Sequence, residues 1–277
     1  MRLTARTPVK EAGPFVKWVG GKRALLPQLE RLLPRRFERY LEPFVGGGAM
    51  FFHLRPETAL LADENAELMN AYRVVRDQVD GLIAHLRGHE NDEDYYYRLR
   101  ATAPEALDPI ARASRLIFLN RTCFNGLYRV NSRGEFNVPF GRYKNPQICN
   151  EHGLRAASEA LQGARLETRS YAQVLEDARA GDFIYFDPPY HPLNATSNFT
   201  SYTAGQFSAR DQEALAETFV TLANRGCQVM LSNSDVPFIH DLYAAFHIDR
   251  VMAPRMVNRD ATKRGPVSEL VIRNYRR

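Results

Sequence analysis

One segment constrains the architecture of this chain more than any other. Phe183-Ile184-Tyr185-Phe186 runs straight into Asp187-Pro188-Pro189-Tyr190. The first four residues read as an apolar strand. The two prolines bar that strand from continuing and leave carbonyls without neighbouring N–H groups. An acid and free carbonyls are thereby held at the tip of a core strand. Alone, the pattern also describes a Pro-terminated strand with an incidental aromatic.

The surroundings give that strand a setting. Arg39 to Phe44 reads as a short strand, followed by Gly46-Gly47-Gly48 and a helix start from Ala49 to Leu54. Ala59 to Ala62 is a second short strand. Glu64 to Leu86 reads as a helix, with Leu68, Met69, Tyr72, Val75, Val79, Leu82 and Ile83 on one stripe. From Lys22 to Leu33 the chain also reads as helical. Ala209 to Asn224 is a helix, Gln228 to Ser232 a strand, and Phe246 to Met252 pairs with Glu269 to Tyr275 at the end. Strand–helix alternation of this kind argues for an α/β fold with an open, mostly parallel sheet. Residues 66–150 break the alternation. They contain two helical stretches, from Tyr95 and from Pro109 to Leu119, then a basic segment with a hairpin turn at Ser132-Arg133-Gly134. The expected division is a core of residues 1–65 and 151–277 carrying an inserted, mainly helical domain of residues 66–150.

Three further motifs carry chemistry. Glu42-Pro43-Phe44-Val45-Gly46-Gly47-Gly48 lies between a strand and a helix. Its glycines let a ligand approach the backbone, and the helix N-terminus adds a positive field. The same run also suits a plain βα turn. Asp63 ends the next strand, where an acid accepts hydrogen bonds from ribose hydroxyls. It equally suits the N-cap of the helix that follows. Lys17-Trp18-Val19-Gly20-Gly21-Lys22 places an aromatic beside a basic Gly turn, fit either to cover a cationic nucleoside or to clamp the N-terminus to the core.

Asp187 and the Pro188 carbonyl can both accept from one NH2 group, and adenine N6 carries two hydrogens. Tyr190 can stack on the base. The lone pair of such an amine is delocalised into the ring. Two acceptors on its hydrogens favour a more tetrahedral nitrogen, so that methyl transfer becomes a matter of positioning and electrostatics.

Charge agrees with a polyanionic partner. The formal net charge is +5, but its distribution says more. Between Arg112 and Lys144 basic residues far outnumber acids, of which Glu135 is the only one, and the tail from Arg250 to Arg277 is also basic. No apolar run approaches the roughly 18 residues that span a bilayer. Met1 to Gly13 lacks a signal-peptide core, so a cytoplasmic protein is expected. Cys123, Cys149 and Cys227 are odd in number and lack CxxC spacing, which excludes a disulfide framework or zinc knuckle. His85 and His89 have metal-ligand spacing but no third ligand. A solvated helix face is expected there, and no metal.

With these residues in place, the chain resembles the Dam family of DNA adenine methyltransferases, the α group of amino methyltransferases. The resemblance runs from about Phe15 to Tyr275. It includes Lys17–Lys22, Glu42–Gly48, Leu61–Asp63, Asn120–Lys144 and Asp187–Tyr190, in the family's order of cofactor, recognition and catalytic parts. It implies a Rossmann-like, S-adenosylmethionine-dependent sheet with an inserted target-recognition domain. It implies that Trp18, Lys22, Phe44, Gly46, Gly48, Asp63 and Asp187 contact the cofactor, and that Asp187, Pro188, Pro189 and Tyr190 hold a flipped adenine. The recognition segment would supply Asn120, Arg121, Phe124, Asn125, Leu127, Arg129, Asn131, Asn137, Pro139, Arg142 and Tyr143, joined by Lys17. Arg129 matches the family's guanine-reading arginine, and Pro139 suits a thymine methyl. Phe124 stands where close relatives carry a tyrosine that enters the duplex. The implied substrate is double-stranded DNA, with GATC as the site, and the implied enzyme is a bacterial or phage-encoded monomer.

Weaker signals lie elsewhere. Asn198 to Tyr202 reads as a polar aromatic loop that orders around the target base or merely connects. Ser232 to Asp235 lines the pocket or forms a turn, and Lys263 and Arg264 touch phosphates or are solvated. Two rival functions share these motifs. One is methylation of cytosine N4, RNA or protein glutamine on the same scaffold. The other is DNA binding without turnover.

Overall fold

The computed structural model describes residues 12–193, 207–253 and 266–276. A seven-stranded sheet runs in the order β3-β2-β1-β4-β5-β7-β6. Its strands are β1 (Tyr40–Glu42), β2 (Ala59–Asp63), β3 (Ala164–Thr168), β4 (Phe183–Phe186), β5 (Gln228–Ser234), β6 (His247–Ala253) and β7 (Val267–Arg273). β1 to β5 are parallel. β7 is antiparallel to both β5 and β6, so the expected terminal strand pair is present.

Helices cover both faces. They are α1 (Leu26–Leu29), α2 (Ala49–Leu54), α3 (Ala66–Asp77), α4 (Val79–Arg87), α5 (Glu93–Ala101), α6 (Pro109–Thr122), α7 (Glu151–Leu161), α8 (Val174–Asp177), α9 (Ala209–Asn224) and α10 (Pro237–Leu242). The period-2 alternation of each strand sorts its side chains between two apolar layers. Tyr40, Leu61, Phe183, Tyr185 and Val271 meet α2, α3 and α6 on one face. Leu41, Leu60, Ile184, Phe186, Leu270 and Ile272 meet α9 and α10 on the other. Phe183, Tyr185 and Phe186 are wholly buried, each worth about 1.5–3 kcal/mol of transfer free energy. The first of these layers continues without a break through Tyr96, Leu116 and Phe118 of α5 and α6.

Three readings of the sequence require correction. The stripe from Glu64 to Leu86 is not one helix. The chain turns out of helical geometry at Gln78 (φ −139°, ψ 37°), so α3 packs on β2 and β3 as well as on α6 and α7, whereas α4 lies against α6 and α7. The stretch after Lys22 is a series of short turns, with Pro27 at the start of α1 removing one N–H. His89 is not solvated. Its ring lies between the Tyr95 hydroxyl at 2.6 Å and the Ser114 hydroxyl at 2.8 Å. It also packs on Phe118, and burial lowers its pKa to about 4. His89 is thus a half-buried neutral residue, whereas His85 is exposed as expected, and among the described residues no cluster fit for a metal exists. No described helix is long and apolar enough to cross a membrane.

The expected hairpin is observed. Val130 and Phe136 form an antiparallel bridge, closed by a turn in which the Gly134 amide donates to the Asn131 carbonyl. The Tyr96 hydroxyl and Arg100 both donate to the Val138 carbonyl and fix the ribbon to α5.

The strand order reverses between β1 and β4, a topological switch point where two neighbouring strands send their following loops apart and open a crevice. Gly46 and Gly48 follow β1, and both have positive φ, at 46° and 67°. A Cβ on Gly48 would lie 2.6 Å from the Tyr72 hydroxyl, whereas one on Gly47 would come no closer than 3.3 Å to Trp18. Gly48→Ala is therefore expected to cost about 1–3 kcal/mol, and Gly47→Ala no more than about 1 kcal/mol. Equal losses in denaturant titrations of the two variants would sink this account of the loop.

Candidate active site

The glycine loop and the Pro-bounded strand end meet at the switch point. β1 pairs directly with β4, so the loop after Glu42 and the tetrad after Phe186 rise from adjacent strands. The Val45 amide donates to the Ala62 carbonyl and the Gly48 amide to the Val45 carbonyl, which curls the loop over the end of β2.

Asp63 closes the loop from the other side. Its carboxylate accepts from the Gly46 amide at 3.1 Å and the Asn65 amide at 3.0 Å. It is not the helix cap, because Asn65 fills that position and accepts from the Leu68 amide. Burial pushes the Asp63 carboxyl up to about 6, with the two backbone bonds opposing. Trp18 lies against the loop so closely that a Cβ on Gly46 would sit 2.7 Å from its ring. Its other contact is Tyr128, stacked at 4.9 Å between centroids. Phe44 turns toward the opposite apolar layer and stacks on Tyr171 at 5.1 Å.

The centre of the site is an ion pair. Lys22 is buried, and its ammonium lies 2.7 Å from Asp187 Oδ1. It also donates to the Gly20 carbonyl at 2.6 Å and stands 4.8 Å above the Tyr190 ring. Burial raises the Asp187 carboxyl, and the Lys22 charge opposes the rise. The Tyr190 hydroxyl donates to Glu269 on β7 at 2.8 Å. Beneath the loop, burial holds the Glu42 carboxyl well above the usual carboxylate range. Its Oε2 finds no hydrogen-bond partner among the described residues.

A buried polar network fixes the backbone that follows. Gln212 donates to the Pro189 carbonyl at 2.9 Å, and Asn233 donates to Gln212. Asn233 also accepts from the His191 amide, and Ser234 donates to the His191 carbonyl. Asn233 and Ser234 thus brace the end of the tetrad from β5, while Ser232 bonds the Tyr185 hydroxyl within β4. Among the described residues none donates to the Pro188 carbonyl, which directly follows Asp187.

The recognition segment joins the site through residues 17–22. Asn120 is buried. Its amide accepts from the Lys17 amide and donates to the Lys17 and Gly126 carbonyls, so it braces the turn from within. Arg121 is partly buried and donates to the Phe15 carbonyl at 2.7 Å. Phe124, Asn125, Arg129, Pro139 and Arg142 are exposed, as is Lys17, while Leu127, Asn131, Asn137 and Tyr143 are half-buried. The Phe124 amide donates to the Pro139 carbonyl, and Arg129 donates to Asn137 Oδ1 at 2.6 Å. The Lys17 ammonium lies 5.2 Å from the Tyr143 ring centroid. Asn198 to Tyr202, Lys263 and Arg264 lie outside the described residues.

Several residues of this site escaped the sequence reading. Glu269, Gln212 and Tyr128 reach it only through tertiary contacts, and nothing local marks them. Tyr171 follows a segment tied to β2 by the bond from the Arg169 amide to the Asp63 carbonyl. The available signal was its nearness to the end of β3, a strand the patterning did not expose.

A mostly parallel sheet with a glycine loop, a tip acid and a Pro-bounded carboxylate at its switch point defines a Rossmann-like methyltransferase. The chain belongs to the D12 class of N6 adenine-specific DNA methyltransferases, whose family model matches residues 18–257. It is 43% identical over 270 residues to the type II methyltransferase M1.LlaDCHI of Lactococcus lactis subsp. cremoris, covering 95% of each chain. It is 43% identical over 288 residues to the type II methyltransferase M.MjaIII of Methanocaldococcus jannaschii, covering 96% of this chain and all of that one. A DNA adenine methylase of Serratia marcescens is 37% identical over 268 residues, covering 95% of this chain and 98% of its own. The protein is an adenine-specific DNA methyltransferase of a family whose usual methyl donor is S-adenosylmethionine.

Turnover that needs ionised Asp187 is lost as pH falls through its raised pKa. Lys22→Met removes the charge that opposes the rise, so the acid limb of the pH–rate profile is expected to move to higher pH. A limb that stays in place, or moves down, would refute the electrostatic role given to Lys22.

Proposed function

We propose that the protein transfers a methyl group from S-adenosylmethionine to N6 of an adenine rotated out of duplex DNA, within GATC. The observation that carries this reading is Asp187, held by Lys22 beside the glycine loop and followed directly by a Pro188 carbonyl that accepts from no described residue. The two oxygens are the acceptors that both hydrogens of one amine require.

The residues present suit the methyl donor. Asp63 offers a carboxylate with spare lone pairs at the strand tip, and the loop backbone is open to a ligand. Glu42 Oε2 is a buried acceptor in want of a donor. Trp18, Gly46, Gly48, Phe44 and Asp63 would hold the cofactor, with Lys22 and Asp187 at its reactive end. When bound, it supplies an electrophilic methyl group on a sulfonium.

The chain does the rest by placement. Asp187 accepts one amine hydrogen and Pro188 the other, which frees the nitrogen lone pair for in-line attack. The Lys22 ammonium keeps the enclosed carboxylate charged through Oδ1 and leaves Oδ2 for the amine. Asp187 need not act as a strong base, because the N6 proton leaves after the methyl group has arrived. Tyr190 stacks on the base, and Gln212 takes the Pro189 carbonyl out of competition. A base inside a duplex does not reach such a crevice, so extrusion at a cost of a few kcal/mol is required.

Within residues 66–150, the ribbon from Asn120 to Lys144 meets the DNA. Exposed Arg129, braced by Asn137, reads a guanine, Pro139 meets a thymine methyl, and the exposed Phe124 ring enters the stack. Asn120 and Arg121 act from beneath by holding the N-terminal segment. The similarity of this ribbon to the family's recognition segment supports GATC, and relatives named as DNA adenine methylases accord with it.

Incubation with labelled cofactor and duplexes containing or lacking GATC tests the whole reading. Label on N6 of adenine in GATC alone is expected. Label on cytosine, RNA or protein would replace it with another methyltransferase. Asp187→Ala is expected to lower turnover by at least about 10²–10³-fold while DNA affinity stays within a few-fold. Retained turnover would remove the carboxylate from the chemistry. Arg129→Ala is expected to relax discrimination at one guanine by about 1–3 kcal/mol, measured by competition between matched and singly altered duplexes.

A further inference from the structure

Glu269 lies on β7, remote in sequence from the tetrad it touches. Its register partners are Ser234 on β5 and Val251 on β6. Alternation along β7 puts it on the same face as Val271, in the layer that also holds Tyr185 and Phe183. From there its Oε2 accepts from the Tyr190 hydroxyl at 2.8 Å. The strand that carries it is itself fixed, because Ser234 opposite holds the His191 carbonyl one residue beyond Tyr190.

The Tyr190 ring is thus restrained at two places. The Lys22 ammonium stands over one face at 4.8 Å from the centroid. A carboxylate grips the hydroxyl at the far end of the ring. A phenyl ring attached only at Cβ can still swing about χ1 and flip about χ2. An acceptor at the tip resists the swing about χ1, and a cation over one face disfavours ring planes that turn away from it.

We infer that Glu269 is a positioning residue for methyl transfer. It holds the Tyr190 ring in the position from which it stacks on the target base, and so places the base amine against Asp187 and the Pro188 carbonyl. This rests on the reading of Tyr190 as the stacking residue. The bond is to a charged acceptor in an enclosed site, the stronger class of side-chain hydrogen bond. Its loss is felt where the base must be aligned, not where DNA is first bound. The rate of methyl transfer in the assembled complex therefore carries the effect.

The test uses the full chain and single-turnover methyl transfer to a GATC duplex, with dissociation constants for DNA and cofactor measured alongside. Glu269→Leu is expected to slow the single-turnover rate by about 10–100-fold, the range for a lost hydrogen bond to a charged group. Both dissociation constants are expected to stay within about twofold. Glu269→Gln keeps an acceptor oxygen in place and is expected to recover most of the rate. Tyr190→Phe removes only the hydroxyl and is expected to match Glu269→Leu, with the double variant no slower than either single one. A parent-like rate in Glu269→Leu, a double variant as slow as the product of the two effects, or a Gln variant as slow as the Leu variant would overturn the inference. Should Glu269→Leu fail to fold, Tyr190→Phe and Glu269→Gln still decide, and a parent-like rate in Tyr190→Phe is then the overturning result. Tyr190→Ala separates the two levels. A parent-like rate there removes the stacking role itself, whereas a slow Tyr190→Ala with a fast Glu269→Leu removes only the part given to Glu269.

Discussion

A buried ammonium organises this molecule. Lys22 is 4% exposed, and a lysine so enclosed keeps its charge only if acceptors replace its water. The Gly20 carbonyl, the Asp187 carboxylate and the Tyr190 ring supply that replacement. One side chain thereby ties the N-terminal segment to the end of β4. The same segment holds Asn120 through Lys17 and leans Trp18 on the glycine loop. Without this tie the Asp187 carboxylate would lose its one ion-pair partner among the described residues.

The acids of the site follow from strand alternation. Glu42 has the parity of Tyr40, Asp63 that of Leu61, and Glu269 that of Val271, and these three apolar partners share one layer. Three carboxyls therefore approach from neighbouring parts of one sheet face. Burial raises the Glu42 and Asp63 carboxyls, a pattern found where a ligand with donors is meant to bind. The opposite face has Phe44, Tyr171 and Phe186 at the corresponding end. Charge and aromatic area are thus divided between the two sides of the sheet edge.

Much of this was legible in the sequence, because the informative residues are those that interrupt regular structure. Gly46 and Gly48 announce a backbone with positive φ, Pro188 and Pro189 end a strand, and Ser132-Arg133-Gly134 marks a hairpin. Patterning fails where tertiary contacts decide. β3 is an edge strand with only Ala164 and Leu166 buried, so its apolar signal is thin. The break at Gln78 interrupts a continuous stripe, since α3 and α4 bury the same kind of face and both lie against α6 and α7. Asp63 reads as a cap because an acid at that position suits one, yet Asn65 two residues later takes the role. Asn120 reads as a polar contact residue, and only the fold reveals that its amide is spent on backbone groups. Glu269 has no local signature at all.

Trp18 is the sole tryptophan of the chain. Its indole is pressed between the Gly46 backbone and the Tyr128 ring, one residue before Arg129. The glycine loop and the ribbon from Asn120 to Lys144 therefore share a single indole. Its ultraviolet emission is a built-in optical reporter, free of any background from a second indole. A change of packing at either contact alters the surroundings of the same ring and can be followed in real time on the unlabelled protein.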